Sequence, residues 1–312
     1  MGDVLMNLPA VRLLRQTYPK AWITFLADDG VAGLLKGHED IDEVLAVDTA
    51  RIKNSPSDFF SLAVKLKKID FDLCLISNPD KSLHALSFFA GIPCRVGHDR
   101  KCGFFLNKKL RKNSLSSVHE IEKNLSLARL VSEKSWDGRW SLPLDPQAVK
   151  NADDLLSRHF PKNGPLIAVH AGTSNPEKRW PVEHFAELCG KIGGMEKYSV
   201  VLVGGEEEKE ISAKVARLSQ SRPVDFTGAL TLRELAAFFN NPRVKLLVSA
   251  DSGPVHVAWI QKTPVVALYA KNCPGSDPAR WGPLGPGHEV IHKNINEISV
   301  DEVYEKVRKI LH

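Results

Sequence analysis

Three short stretches carry residue types that could hold a phosphorylated ligand. The sharpest is "LLVSADSGPVHVAWIQKTPVVALY", where an apolar run ends in Asp251, Ser252, Gly253 and Pro254 and a helical pattern follows, with His256 in its first turn. Glycine permits close backbone approach, Pro254 starts a helix where its missing N–H costs nothing, and the unpaired amides at that end attract an anion. His256 could donate to a diphosphate oxygen, although a lone histidine there also commonly packs between helix and sheet. The second stretch follows "PLIAVHAG" and reads "TSNPEKRWPVEHFAELCGKI". Thr173 and Ser174 are small hydroxyl residues at a strand end, Lys178 and Arg179 form a basic pair, and Pro181 suits the first turn of the next helix. Such a pair fits a phosphate and fits a solvated loop equally well. The third is "VVLVGGEEEKE", a strand, a Gly-Gly turn and an acidic helix start. The helix dipole alone favours Glu206, Glu207, Glu208 and Glu210 at such a start, and one of them could also bind ribose hydroxyls. Neither a G-x-x-x-x-G-K-[ST] loop nor a G-x-G-x-x-G after a strand is present, which weighs against an ATPase or an ordinary dehydrogenase.

Ligands of open α/β sheets sit at the carboxyl ends of strands, so these stretches need strands behind them. Short apolar runs alternate with longer amphipathic segments through most of the chain, the signature of parallel sheets with crossover helices. The first half offers "AWITFL", "DEVLAV", "DLCLIS" and "IPCRVG"; the second offers "PLIAVHAG", "SVVLVGG", "VKLLVSADSG" and "PVVALYA". "RWSLPLDPQAV" interrupts the alternation with two prolines and reads as a link. Two doubly wound, Rossmann-like domains, residues 1–145 and 146–312, are therefore expected, facing each other. The C-terminal run "SVDEVYEKVRKIL" reads as an amphipathic helix with Ser299 and Glu302 as a capping box, and a place against the first domain is expected for it.

Bulk properties narrow the function classes. With 312 residues the chain can bury two cores. Lys plus Arg number 42 against 37 for Asp plus Glu, a net +5 too mild to argue for nucleic acid as a partner. Five cysteines never fall at metal-ligand spacing, which fits a reduced cytosol without structural zinc. No secretory signal and no spanning apolar segment is apparent, so any membrane contact is expected to be peripheral.

Taken together, "GDVLMNLPAVRLLRQTYP", "GTSNPEKRWPVEHFAEL" and "SADSGPVHVAWIQKTPVVALY", in this order and at these separations, resemble glycosyltransferase family 9, the ADP-heptose:lipopolysaccharide heptosyltransferases. The resemblance covers nearly the whole chain. It implies a GT-B architecture, with an N-terminal acceptor domain, a C-terminal sugar-nucleotide domain and a cleft between them. It also implies inverting transfer with no metal and no cofactor beyond ADP-heptose as donor substrate, at the cytoplasmic face of the inner membrane. Carried over by motif, Asp3 matches the general base and Lys178 the lysine on the donor diphosphate. Asp251, Ser252, Gly253 and His256 match the donor loop, Thr173 and Ser174 lie beside the donor, and Glu208 is the choice for the ribose-binding acid. These residue types suit the reaction: a carboxylate can take the acceptor hydroxyl proton, while Lys178, His256 and helix-start amides stabilise the departing diphosphate.

In that family a strand precedes the Gly-Asp motif, whereas here Met1 stands directly before Gly2. The chain thus reads as starting inside a βα unit, with the first strand missing. Asp3 is then expected on a fraying terminus, and catalysis is expected to be impaired relative to a chain extended upstream.

For the acceptor, "DRKCGFFLNKKLRKN" carries Arg100, Lys101, Lys108, Lys109, Arg111 and Lys112 with no acid from Arg100 to Lys112. Such a run is commonly a solvated loop. The resemblance gives it a partner: a lipopolysaccharide core and lipid A-type acceptor, bearing carboxylates and phosphates, at an anionic membrane surface. Phe104, Phe105 and Leu106 could dip toward lipid or pack on the sheet. His119, before the helical "EIEKNLSLARLV", resembles a family histidine near the acceptor. Two other readings stay open, a GT-B enzyme using another sugar nucleotide and a sugar-nucleotide-binding protein without turnover.

Overall fold

All eight apolar runs are strands in the computed structural model, which describes residues 1–111 and 118–312; Lys112 lies outside the described residues. In chain order the strands are β1 (Thr24–Asp28), β2 (Glu43–Val47), β3 (Leu73–Ile76), β4 (Cys94–His98), β5 (Lys108–Leu110), β6 (Leu166–His170), β7 (Ser199–Leu202), β8 (Val224–Asp225), β9 (Val244–Ala250), β10 (Val265–Ala270) and β11 (Glu289–Lys293). Every pairing among them is parallel. Three of these strands, β5, β8 and β11, were not among the apolar runs. The chain divides into two compact units, Asp3–Pro143 and Leu144–His312.

In the second unit the sheet order is β11-β10-β9-β6-β7-β8. Numbered from its own first strand this is 3-2-1-4-5-6, the Rossmann order, whose switch point lies between β6 and β9. Every residue of β6 is buried, as the central strand of a sheet covered on both faces must be. The helix Val182–Gly193 packs on Lys209–Leu218 and Val300–Leu311, while Leu232–Asn240 packs on Pro146–His159 and Gly253–Ile260. A core of strand valines and leucines with Phe185 and Trp180 lies beneath. The terminal helix buries Val300, Val303 and Val307 in this unit's own core, and its start differs from expectation. Ser299 Oγ accepts from Glu302 N at 3.2 Å, but the Glu302 carboxylate pairs with Lys293 Nζ at 2.8 Å instead of closing a capping box.

The first unit holds two separate sheets, β1-β2 and β3-β4-β5, where one doubly wound sheet was expected. β1 pairs with β2 and β3 with β4, and no described strand joins the two groups. The chain opens on a short helix, Gly2–Leu5, followed by the helix Leu8–Thr17 with Pro9 in its first turn. Leu5, Leu8, Val11 and Leu13 are buried, and the second helix packs on Glu120–Ala128, which buries Ile121, Leu125 and Leu127. Arg12 ties this layer to the loops through Asp40 at 2.9 Å and Asp137 at 3.0 Å. The helix Pro56–Ile69 is capped by Ser55 and the helix Lys81–Phe89 by Asp80; together they cover the core around Leu45, Leu62, Leu66 and Leu86.

Candidate functional site

The polar residues of the second unit converge where β6 and β9 end. β9 delivers Ser249 and, one step past the strand, Asp251 and Ser252. Ser252 is the N-cap of Gly253–Ile260, and its hydroxyl makes no capping bond, so the first amides of that helix are not closed off by their own cap side chain. Pro254 occupies the first turn, and the helix is buried all round, which fixes its N-terminus against the sheet.

Lys178 comes from the loop after β6. A short 3-10 turn, Pro176–Lys178, is capped by Asn175, and the next residue but one, Trp180, is fully buried with its Nε1 donating to Ile298 O at 2.9 Å. That anchor sets the direction of Lys178, whose Nζ donates to Asp251 Oδ2 at 2.7 Å. Asp251 is 8 % exposed and Lys178 19 %, so the pair is largely shielded from water. An ammonium group has three hydrogens, and the bond to Asp251 uses one. Thr173 is buried; its Oγ1 accepts from Asn175 N at 3.4 Å and its carbonyl accepts from Arg179 Nη2 at 3.3 Å. Ser174 is exposed. His256 is buried in the helix, its ring centroid 6.4 Å from that of Trp281.

Glu208 follows β7 in the turn Glu206–Glu208. Its Oε2 accepts from Gly205 N at 2.8 Å and lies 3.0 Å from His170 Nε2. No hydrogen bond to Oε1 is found among the described residues. Burial by itself would raise this carboxyl, but the His170 hydrogen bond, the histidine's charge and the Gly205 N–H outweigh it and hold the group below the ordinary carboxylate range. The carboxylate lies directly over the backbone of Gly172, where a Cβ would collide with it, and a Cβ on Gly204 would stand 2.7 Å from Oε2. Glycine is needed at both places for this close approach. His170 also faces β9: its Nδ1 is 3.0 Å from Ser249 Oγ and 3.2 Å from Ser252 Oγ.

The structure therefore brings Lys178, Asp251, Ser252, Gly253 and Glu208 together at the ends of β6, β7 and β9, with His170 and Ser249 bridging the Glu208 and Ser252 sides. His170 and Ser249 escaped the sequence reading because they lie inside apolar runs. Among the described residues no group of three or more His, Cys, Asp or Glu is placed to hold a metal ion.

In the first unit Asp3 is exposed on the opening helix, where its carbonyl accepts from Asn7 Nδ2 at 2.7 Å. Arg100, Lys101, Lys108 and Lys109 are exposed around β4 and β5. Lys109 lies 3.7 Å from Asp99, and Lys108 Nζ donates to Leu130 O at 3.2 Å. His119 is buried and caps Glu120–Ala128, its Nδ1 accepting from Ile121 N at 3.3 Å. Leu106 packs inside, whereas Phe104 projects at 72 % exposure. No helix among the described residues is long and apolar enough to cross a membrane.

Residues 59–310 match the sequence model of glycosyltransferase family 9 (heptosyltransferase). A lipopolysaccharide core heptosyltransferase, OpsX, of Haemophilus influenzae is 27 % identical over 88 % of this chain and 77 % of its own length. A solved family 9 glycosyl transferase from Veillonella parvula superposes with a TM-score of 0.88 at 26 % identity, covering 100 % of this chain and 94 % of that one. The E. coli ADP-heptose LPS heptosyltransferase II superposes with a TM-score of 0.80 at 24 % identity, covering 99 % and 95 %. Parallel sheets in both units and the superposition on the solved family 9 enzyme make the fold GT-B, and the match across four fifths of the sequence places this chain in glycosyltransferase family 9.

Proposed function

We propose that the protein transfers a heptose from ADP-heptose to a lipopolysaccharide inner-core acceptor, with inversion and with neither metal nor cofactor. The observation that carries this reading is the cluster of polar side chains at the β6–β9 switch point. Glu208 has one oxygen held and the other open for a ribose hydroxyl, while Lys178 stands beside the N-terminus of Gly253–Ile260 for a diphosphate. The similarity to lipopolysaccharide heptosyltransferases supplies the sugar and the acceptor class.

In the reaction, the acceptor hydroxyl oxygen bonds to the anomeric carbon as the bond from that carbon to the diphosphate oxygen breaks. The hydroxyl proton passes to a carboxylate, for which Asp3 is the assigned base. Charge growing on the departing diphosphate is met by the ammonium hydrogens of Lys178 that Asp251 leaves over, by His256 and by the helix-start amides. Attack opposite the leaving group inverts the anomeric centre. Thr173 and Ser174 line the donor side, and Arg100, Lys101, Lys108, Lys109 and His119 are assigned to the acceptor, whose carboxylates and phosphates suit the exposed cations. The enzyme would work at the cytoplasmic face of the inner membrane.

Calorimetric titration with ADP, UDP and GDP in chelator-treated buffer tests the donor. Selective ADP binding, lost in Lys178→Ala, is expected. Preference for UDP or GDP would reject ADP-heptose. Incubation with ADP-heptose and a Kdo-bearing acceptor then separates an enzyme from a binder: release of ADP and a heptosylated product is expected, and tight ADP binding with no product would show a sugar-nucleotide-binding protein.

A further inference from the structure

We propose that His170 is a positioning residue of the donor site, one that fixes Glu208 and Ser252 relative to each other so that ribose and diphosphate are held together. The proposal rests on the reading of Glu208 as the ribose contact.

His170 is the last residue of β6, the strand with β7 on one side and β9 on the other. The chain crosses over at this point, so the loops after β7 and β9 leave in different directions and share no backbone hydrogen bond that would hold them in register. The His170 ring bridges them. Glu208 when ionised can only accept, so Nε2 is the donor across the 3.0 Å to Oε2. Nδ1 faces the hydroxyls of Ser249 and Ser252 at 3.0 and 3.2 Å, and those two oxygens are 2.9 Å from each other.

The ring is 2 % exposed, so solvent does not compete for these contacts while it is in place. On the Glu208 side, the bonds from His170 and Gly205 both fall on Oε2, which turns Oε1 away from the protein's own donors. Without the ring the carboxylate would keep the Gly205 bond alone and could rotate about it. On the other side, Ser252 is the N-cap of the helix whose amides meet the phosphates. The His170 and Ser249 contacts hold that cap where no capping bond of its own does. One side chain thus sets the distance between the ribose end and the phosphate end of the site.

Two substitutions separate the two arms. In His170→Gln the carboxamide nitrogen reaches the Nε2 position and can still donate to Glu208, but nothing occupies the Nδ1 position. In His170→Asn the carboxamide occupies the Nδ1 position and meets the serines, but cannot reach Glu208. The experiment is titration of wild type and both variants with ADP, 2′-deoxy-ADP, 3′-deoxy-ADP and inorganic pyrophosphate, with thermal melts to confirm folding. Wild type is expected to prefer ADP over one of the deoxy analogues. His170→Asn should lose about ten-fold in ADP affinity, the usual worth of a hydrogen bond to a charged acceptor, with little change for that deoxy analogue, so the preference collapses. Adding Glu208→Gln to His170→Asn should cost nothing further. His170→Gln should keep the preference and weaken pyrophosphate.

A uniform loss for all four ligands in both variants would reduce His170 to a structural residue and overturn the proposal, as would an unchanged preference in His170→Asn. If His170→Asn does not fold, His170→Gln decides alone: preference kept with pyrophosphate weakened supports the proposal, and any other pattern overturns it. Wild type that binds no ADP, or binds it without regard to ribose hydroxyls, would instead sink the donor reading or the role of Glu208, and the proposal with it.

Discussion

At the scale of single residues, the Lys178–Asp251 pair poses a question that mutation can answer. The lysine assigned to the diphosphate already has a carboxylate partner at 2.7 Å. Removing it strands Asp251, 8 % exposed, without its counter-charge, so Lys178→Ala should destabilise the fold by about 1–3 kcal/mol as well as weakening ADP. Neutralising the stranded group in Lys178→Ala/Asp251→Asn should restore most of the melting temperature and none of the ADP affinity. Recovery of both would mean that Lys178 serves the fold and not the ligand. Glu208 adds a pH signature. Its carboxyl is held below the ordinary range in the folded protein, so the contribution of its bonds to His170 and Gly205 is complete above that range and is lost as pH falls through the depressed value. Urea melts of wild type should lose stability on acidification that Glu208→Gln does not lose; parallel curves would count against the pair. Lys178, Asp251, Ser252 and Glu208 stood out in the sequence because each lies in a polar stretch that follows an apolar run. His170 and Ser249 did not, since a polar side chain within the last two residues of a strand looks like any other packed core position.

The same distinction operates on elements. All eight strands read from sequence are in the structure, and the three that were missed, "KKL", "VD" and "EVIHK", are β5, β8 and β11, each at the edge of its sheet. An edge strand needs no continuous apolar run, because one side is open and charged residues there guard against stray pairing. The split of the first unit's strands into two sheets was equally hidden, since spacing reveals strands but not which neighbours they take. The strand ends were readable where glycine is required. Gly172 directly follows Ala171 after β6, and Glu208 rests on it so closely that a methyl group cannot share the space. Gly172→Ala should therefore push the carboxylate off His170, weakening ADP about as much as Glu208→Gln does while leaving pyrophosphate binding nearly intact. If alanine is accepted there with full ADP affinity, the carboxylate is free to move and its fixed position is not what binds ribose.

For the molecule as a whole, the net charge conceals where the charge lies. Residues 51–111 hold twelve Lys and Arg against five Asp and Glu, a net +7, although the entire chain carries only +5. The same segment exposes an aromatic cluster that the sequence reading met only at Phe104 and Phe105. Phe59 and Phe60 come from the helix Pro56–Ile69, Phe88 and Phe89 from Lys81–Phe89, and Phe104 and Phe105 from the turn after β4. Their rings touch in sequence, Phe60 on Phe89 at 5.6 Å, Phe88 on Phe105 at 5.2 Å and Phe105 on Phe104 at 4.4 Å. Phe60, Phe88 and Phe89 are each about half exposed. Val64, Lys67 and Lys68 continue the face that Phe60 begins, at helical spacing, and the Arg95 guanidinium sits 5.5 Å above the Phe88 ring. An apolar centre ringed by cations suits an anionic lipid surface, where rings enter the interface and each nearby cation adds about 1 kcal/mol. The protein should co-sediment with vesicles containing phosphatidylglycerol and not with pure phosphatidylcholine. Binding should weaken several-fold between 50 mM and 500 mM salt, as screening shortens the reach of the cations. Phe60→Ser with Phe104→Ser should reduce partitioning by about ten-fold or more, on the worth of burying two aromatic side chains in part, while ADP binding, whose proposed donor contacts all lie in the second unit, stays at the wild-type level. Equal sedimentation with both vesicle types, or none with either, would mean that this face meets something other than lipid.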